Sequence, residues 1–164
     1  MIADLLLMLI AFSGMATGII IGRYAYEELK PGEKYFIIFK NTILVVIAVF
    51  LALNANDFVI ADLLFFATGF VVAHFLRFNY LFLGLSSAVS IMLGKQLFVM
   101  PLIYVYGLPF GTVRYYHIRN HARLVKAILV NFIMFVVPLA VLYFDFDVNM
   151  LVMFSAGALI ANIR

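Results

Sequence analysis

The sequence predicts an all-α, polytopic bundle of seven short transmembrane helices, and three observations support that prediction. Hydrophobic residues make up 67% of the 164-residue chain and charged residues only 12%, a balance far outside that of a soluble domain. The apolar runs are unbroken rather than alternating, which favours helices over a membrane β-barrel. The basic residues gather in alternate polar breaks, as expected of a chain that crosses a membrane repeatedly.

Seven apolar segments, each near the length that crosses about 30 Å of hydrocarbon at about 1.5 Å per residue, alternate with short polar breaks. They cover approximately residues 3–22, 35–53, 57–76, 79–93, 96–113, 124–144 and 148–163. The first has no basic residue before it and no small-x-small cleavage site after it, which predicts a retained helix rather than a signal peptide. No linker or soluble segment interrupts the series, so residues 1–164 are predicted to form one integral membrane domain.

The first segment carries a stripe of small residues that includes Gly14, Gly18 and Gly22. Together with Asp4 and Ala11 they fall within about an 80° arc at about 100° per residue. Small residues on one face let a neighbouring backbone approach closely, which matters in lipid because no hydrophobic force drives helices together. We expect the stripe to pack inside the bundle, with an oligomer contact as the alternative.

The same pattern ends all four segments that are predicted to run from outside to inside. Each has a glycine, a small residue four positions later and then an arginine that can snorkel to the headgroups. The four sets are Gly18/Gly22/Arg23, Gly69/Ala73/Arg77, Gly107/Gly111/Arg114 and Gly157/Ala161/Arg164. They predict a shared packing layer in the inner half of the bundle, and chance in a chain rich in glycine and alanine is the alternative.

The third segment places a carboxylate, Asp62, on the same face as Gly69 and Ala73. A carboxylate within a membrane segment must face protein or water, which makes Asp62 a candidate for handling an ion or proton. The alternative is an acid near the outer interface that favours the helix dipole. His74, near the inner end, is interpreted either as an interfacial residue or as part of a transport path.

The fourth segment and the break after it set the number of crossings. Ser86, Ser90 and Gly94 are spaced four apart and predict a close-packed face. The Gly94-Lys95-Gln96 sequence predicts a turn, because a lysine at the centre of one long helix costs at least about 2.5 kcal/mol. The turn makes seven crossings rather than six.

Counting charges on this topology predicts that the N-terminus lies outside and the C-terminus in the cytoplasm, in the plasma membrane. Lys95 alone falls on the outer side, and the other ten of the 11 basic residues fall on the inner side. Those ten are Arg23, Lys30, Lys34, Lys40, Arg77, Arg114, Arg119, Arg123, Lys126 and Arg164.

The fifth segment is predicted to be broken at Pro109, since proline cannot donate a hydrogen bond to the carbonyl of Val105. Broken membrane helices often expose backbone dipoles at a substrate site, while a kink that serves packing alone is the alternative. In the sixth segment Pro138 predicts a second kink. The transport-path candidates are Asp62, His74, Tyr104, Tyr106, Pro109 and Asn131.

A basic strip spans the break between the fifth and sixth segments. It is predicted to bind anionic lipid headgroups at the inner leaflet, at about 1 kcal/mol for each cation, or the acidic surface of a membrane-complex partner. His117 and His121, four residues apart, resemble a metal-ligand pair, but nothing else in the sequence completes a site and no metal is predicted. The strip consists of Arg114, His117, Arg119, His121, Arg123 and Lys126.

Several chemistries are excluded or unsupported. The absence of cysteine rules out disulfides, iron–sulfur clusters and thiolate catalysis. No GxSxG, HExxH or Walker A motif is present, no cofactor or enzyme activity is predicted, and the net charge of +3 does not indicate nucleic-acid binding.

Three functions remain on the sequence alone. A transporter or channel for an ion or small solute is the first expectation, and a non-catalytic subunit or scaffold of a larger membrane complex is the alternative. A lipid-modifying membrane enzyme is the third, and it requires a cavity that opens toward the inner headgroups beside Arg114 and Arg123.

Overall fold

The computed structural model describes residues 2–55, 60–118 and 120–163, without the side chains of residues 2, 26, 28 and 30. Within these residues the chain forms seven α-helices and no strand, which confirms the predicted all-α class. The helices are α1 Ile2–Tyr24, α2 Tyr26–Leu53, α3 Ile60–Leu76, α4 Asn79–Met92, α5 Gln96–His117, α6 His121–Val136 and α7 Val148–Ala161. A 3₁₀ segment, Val137–Tyr143, continues α6.

Four stretches are long and apolar enough to cross a membrane, as expected of a membrane protein. They are Ala3–Tyr24, Pro31–Leu53, Gln96–His117 and His121–Tyr143. The other three helices are apolar but shorter, with 17 residues in α3 and 14 each in α4 and α7. At about 1.5 Å per residue these three span about 21–26 Å. The sidedness of the termini stays a prediction.

The predicted break at Lys95 is confirmed. Gly94 has a φ of 66°, which is the left-handed conformation that glycine adopts without strain. The amide of Lys95 donates to the carbonyl of Ser90 at 2.7 Å, and the amide of Gly94 donates to the carbonyl of Ile91 at 3.0 Å. This pair of bonds is the Schellman motif that ends a helix, and it leaves Lys95 at the opposite end of α5 from Arg114.

The predicted loop between the first two segments is instead almost entirely helical. Ala25 alone separates α1 from α2, and α2 begins at Tyr26 and continues through Pro31 to Leu53. Pro31 lies in the second turn, where its missing N–H removes one hydrogen bond close to the helix start. An acid in the first turn, Glu27, favours the positive end of the helix dipole.

The predicted break in the fifth segment is wrong. Helix α5 is continuous from Gln96 to His117 through Pro101 and Pro109. Each proline removes one hydrogen bond, but side-chain hydroxyls and neighbouring helices can satisfy the backbone around it. Beyond Pro109, the hydroxyl of Thr112 lies 2.8 Å from the carbonyl oxygen of Leu108 and 2.9 Å from that of Gly18, which connects α5 to α1.

Pro138 lies where the regular part of the sixth helix ends. Helix α6 stops at Val136, and the 3₁₀ segment begins with Pro138 in its first turn. Proline has no N–H to offer the carbonyl of Met134, and tightening to a 3₁₀ turn is a common way for a chain to continue past such a loss.

Two helix pairs are built on glycine, α1 with α5 and α3 with α7. A methyl group at Gly18 would overlap the carbonyl oxygen of Leu108, and one at Gly69 would overlap that of Phe154. Leu108 lies three positions before Gly111 in α5, and Phe154 lies three positions before Gly157 in α7. The backbones therefore touch in the same way in both pairs. The glycines with such overlaps between these helices are Gly14, Gly18, Gly69, Gly107, Gly111 and Gly157. The other predicted packing residues, Gly22, Ala73 and Ala161, are buried.

Helix α4 lies at the centre of the bundle, and residues 82–90 are all buried. Its serine hydroxyls are satisfied locally or across helices: Ser86 Oγ lies 2.7 Å from Ser155 Oγ of α7, and Ser90 donates to the carbonyl of Ser87. Gly84 lets α4 approach the backbone of Phe135 in α6. The core around α4 therefore connects the other helices of the bundle.

Candidate functional site: a basic cavity at one end of the bundle

A cavity of about 470 Å³ opens between the end of α3, the start of α4, the end of α5 and the start of α6. We call it the basic cavity. Its polar lining consists of Arg77, Asn79, Arg114, Arg123, Lys126 and Asn131. Its apolar lining consists of Phe78, Phe110, Ile118, Ala127 and Val130.

Arg77 reaches the basic cavity from a sharp turn between α3 and α4. Its φ is 56°, a left-handed conformation that is uncommon for a residue with a side chain. The amide of Arg77 donates to the carbonyl of Ala73 at 3.0 Å, so this residue closes the last turn of α3. The turn allows α4 to begin only two residues later, at Asn79.

The start of α6 is held by a side-chain cap. The Oδ1 atom of Asn120 accepts from the amide of Ala122 at 3.0 Å and from that of Arg123 at 3.4 Å, as asparagine does at preferred N-cap positions. This bond orients the first turn of α6. Arg123, Lys126 and Ala127 are spaced three and four apart and therefore line one side of the helix, facing the cavity.

Four cations surround the basic cavity, and its lining contains no acidic residue. None of the four, Arg77, Arg114, Arg123 and Lys126, pairs with a carboxylate among the residues that the structure describes. Cations that share a cavity repel one another, and an anion placed among them lowers the free energy of the arrangement.

The inner wall of the basic cavity is amide and aromatic. Asn131 lies eight residues beyond Arg123, about 12 Å further along the helix axis, and donates to the carbonyl of Ala127. Asn79 donates to the hydroxyl of Tyr106 at 2.6 Å. Phe110 stacks on Tyr106 with ring centroids 5.7 Å apart, so aromatic rings close the cavity toward the centre of the bundle.

The six transport-path candidates do not share one cavity. Asn131 lines the basic cavity, and Tyr106 is buried behind it, bonded to Asn79. Tyr104 lines a separate, almost wholly apolar cavity of about 240 Å³ between α1 and α5. Pro109 is buried within α5 and does not line the basic cavity.

The two titratable candidates of α3 lie away from the basic cavity. Asp62 is buried in the first turn of α3, and His74 is exposed in its last turn. Neither lines the basic cavity. An ion-handling role for Asp62 therefore stays a sequence prediction with no connection to this site.

Half of the predicted basic strip meets at the basic cavity, namely Arg114, Arg123 and Lys126. His117 is bound instead to Glu33 of α2, with 2.9 Å between Nε2 and Oε1. His121 is exposed, and Arg119 lies outside the described residues. No group of three potential metal ligands occurs among the residues that the structure describes.

Arg77 and Asn79 are the polar lining residues that the sequence does not predict as part of a site. Arg77 is predicted to end a packing stripe, and its loop is predicted to lie on the same side as the loop that carries Arg114 and Arg123. That shared side was the available signal. It could not show that the two loops are adjacent, because this depends on how α4 and α6 pack.

The chemistry of the basic cavity suits an oxyanion. Guanidinium groups bind phosphate and carboxylate through paired, charge-assisted hydrogen bonds, and lysine adds a mobile point charge. No protein-family model, curated protein or solved structure matches this chain. Its function is therefore inferred from the geometry of the basic cavity.

Proposed function

We propose that the protein is a small membrane transporter that takes up an anionic solute or headgroup through the basic cavity. The observation that carries this proposal is the convergence of four cations, from three separate parts of the chain, on one cavity without a lining carboxylate. A purely structural surface would not require this arrangement. An anion bound there would offset the repulsion among the cations.

The shape of the basic cavity supports transport of the anion rather than capture alone. It is open at one end of the bundle and closed toward the centre by Phe110, Tyr106 and the bond between Tyr106 and Asn79. A binding site that is open on one side and closed on the other is the geometry of one state in alternating access. Movement of the inner end of α6 relative to α5 would alter both the site and its barrier.

The test follows two classes of anion in one preparation of proteoliposomes. Vesicles carry radiolabelled inorganic phosphate in the lumen and a headgroup-labelled anionic phospholipid in one leaflet. We expect the protein to move one of the two probes, and the double variant R114Q/R123Q to lower that rate at least ten-fold. Both arginines line the basic cavity, and a cavity with half its arginine and lysine charge should hold an anion much more weakly.

Arg23→Gln is the matched control. Arg23 is an exposed arginine at the end of α1, which runs parallel to α5, so it lies at the same end of the bundle without lining the cavity. The control should keep the wild-type rate. If neither probe moves faster than in empty vesicles, or if Arg23→Gln is as damaging as the double variant, the proposed transport is wrong.

A lipid-modifying enzyme is the second candidate, because the cavity that it requires beside Arg114 and Arg123 is present. The two candidates differ in what happens to the ligand. A transporter returns its lipid or solute unchanged, whereas an enzyme alters its covalent structure. Mass spectrometry of lipids recovered after incubation with the protein distinguishes them, since a time-dependent change in lipid mass supports the enzyme.

A further inference from the structure

The basic cavity opens beside an apolar stripe on the outer face of α6 that ends at the first residue of the 3₁₀ segment. Lys126, Val130, Ile133 and Val137 are spaced four, three and four apart, so they lie on one face at about 100° per residue. Lys126 lines the cavity at the head of this stripe. The three apolar side chains below it are exposed, at 38% for Val130 and 55% each for Ile133 and Val137.

Val130 connects the two features, because it both lines the basic cavity and belongs to the exposed stripe. The cavity therefore continues sideways onto a surface that faces hydrocarbon in a membrane. A free anion would make no favourable contact with this apolar surface. A ligand that joins an anionic group to a hydrocarbon chain would use both parts.

The length of the stripe matches one leaflet. From Lys126 to Val137 is 11 residues, or about 16 Å along the axis at about 1.5 Å per residue, against about 15 Å for half of a 30 Å hydrocarbon core. A phosphate held at Lys126 would thus lie at the depth of a headgroup. Its acyl chain would follow the stripe to about the middle of the bilayer.

We infer that the ligand of the basic cavity is a phosphate-bearing membrane lipid, which enters from the bilayer beside α6. This inference rests on the proposed function, since it takes the basic cavity as the binding site. The phosphate lies among Arg114, Arg123 and Lys126, and one acyl chain lies along Val130 and Ile133. A tetrahedral phosphate directs its oxygens to cations on several sides, as this cavity presents them, whereas a carboxylate directs two oxygens in one plane.

The test compares two probes on the full-length protein in detergent. Phosphatidylglycerol is titrated and its retention measured by native mass spectrometry, and inorganic phosphate is titrated by isothermal calorimetry. We expect phosphatidylglycerol to bind at least ten-fold more tightly than inorganic phosphate. The variant R114Q/R123Q should weaken the binding of both probes at least ten-fold.

The variant I133Q/V137Q examines the stripe separately, because neither residue lines the basic cavity. It should weaken phosphatidylglycerol binding at least five-fold and leave phosphate binding unchanged. Val125→Gln is the matched control, because Val125 is also 55% exposed on α6 but lies roughly 100° around the helix from the stripe. The control should leave both affinities unchanged.

The outcomes separate the inference from the proposed function. If inorganic phosphate binds through Arg114 and Arg123 as tightly as the lipid does, or if I133Q/V137Q has no effect on lipid binding, the lipid inference is overturned. The proposed transport of an anion would survive that result. If neither probe binds, the basic cavity is not an anion site and both proposals fall.

Discussion

Helices α1 and α5 are in contact along most of their length, whereas α6 makes few contacts with α1. The first turns of α6 instead form part of the wall of the basic cavity. In the first region the backbones meet at Gly14, Gly18, Gly107 and Gly111, and a methyl group would overlap a main-chain atom. In the second region four cations face open space. The comparison indicates a division between two roles. Glycine contacts fix the scaffold, and the charged side chains lie in the region that is not closely packed.

This division has a physical basis in the membrane. Lipid tails are as apolar as the core, so helices associate through close packing and not through a hydrophobic force. A pair with its glycines in contact brings two backbones close together and gains packing contacts along both helices. A helix such as α6, which is held mainly by α4 and by the 3₁₀ segment after it, can leave a cavity without unfolding the bundle.

The largest expected effect is at the close contact. Gly18→Ala places a methyl group against the carbonyl oxygen of Leu108, which belongs to the backbone and cannot rotate away. We expect a loss of roughly 3 kcal/mol in the free energy of unfolding, at the upper end of overpacking costs. Unfolding in mixed micelles with rising SDS content measures it.

Gly32→Ala is the matched substitution in α2. The nearest atom to an added methyl group there is a side-chain carbon of Phe36 at 3.5 Å, an ordinary contact. Replacing a helical glycine then raises stability by up to about 1 kcal/mol. Equal effects of the substitutions at Gly18 and Gly32 on the free energy of unfolding would refute the assignment of the contact between α1 and α5 as the closely packed region.

The next effect lies between the two regions, at the bond from Asn79 to Tyr106. Asn79→Ala leaves the hydroxyl of Tyr106 buried without its partner, and we expect a loss of about 2 kcal/mol in the free energy of unfolding. Tyr106→Phe should be milder, because the freed amide of Asn79 borders the cavity and can be hydrated. The double variant should lose less than the sum of the two single losses, and strict additivity would show that the bond does not link the cavity to the core.

A smaller effect is expected at the turn that makes α4 and α5 separate helices. Gly94→Ala meets no neighbouring atom, but it forces a side chain into a left-handed conformation with a φ of 66°. The expected loss is about 1 kcal/mol in the free energy of unfolding. Since no contact is involved, a neutral result in the same SDS assay would mean that the turn takes another conformation in the membrane.

These cases show what the sequence could and could not supply. The break at Gly94 is predictable because it depends on local chemistry, namely a glycine, a lysine and the length of the apolar run. Continuity of α5 through Pro109 is not, because it depends on which neighbouring groups satisfy the backbone around the proline. The stripe at Gly14 and Gly18 predicts that another helix packs closely against α1. Which helix this is depends on the packing of the whole bundle.

The basic cavity shows the same limit more clearly. The positive charge of Arg114, Arg123 and Lys126 could be assigned to one side of the membrane from the sequence. Their convergence with Arg77 could not, because 46 positions separate residue 77 from residue 123 in the chain and only the packing of α4 against α6 brings their helix ends together. A list of cations on one side predicts affinity for anionic headgroups, whereas their arrangement around a cavity predicts a site.

The smallest effect on stability, and the largest on binding, is expected at the cavity itself. Arg123→Gln removes one of four cations that have no described carboxylate partner, so folding without ligand should change by less than about 0.5 kcal/mol. Adding salt should stabilise the wild type more than the variant, because screening relieves the repulsion among the four cations.

Phosphatidylglycerol should raise the unfolding midpoint of the wild type but not that of the variant, through preferential binding to the folded state. A large loss of stability in Arg123→Gln without ligand would instead place this arginine in the scaffold, and the distinction between the closely packed and the open region would not hold at α6.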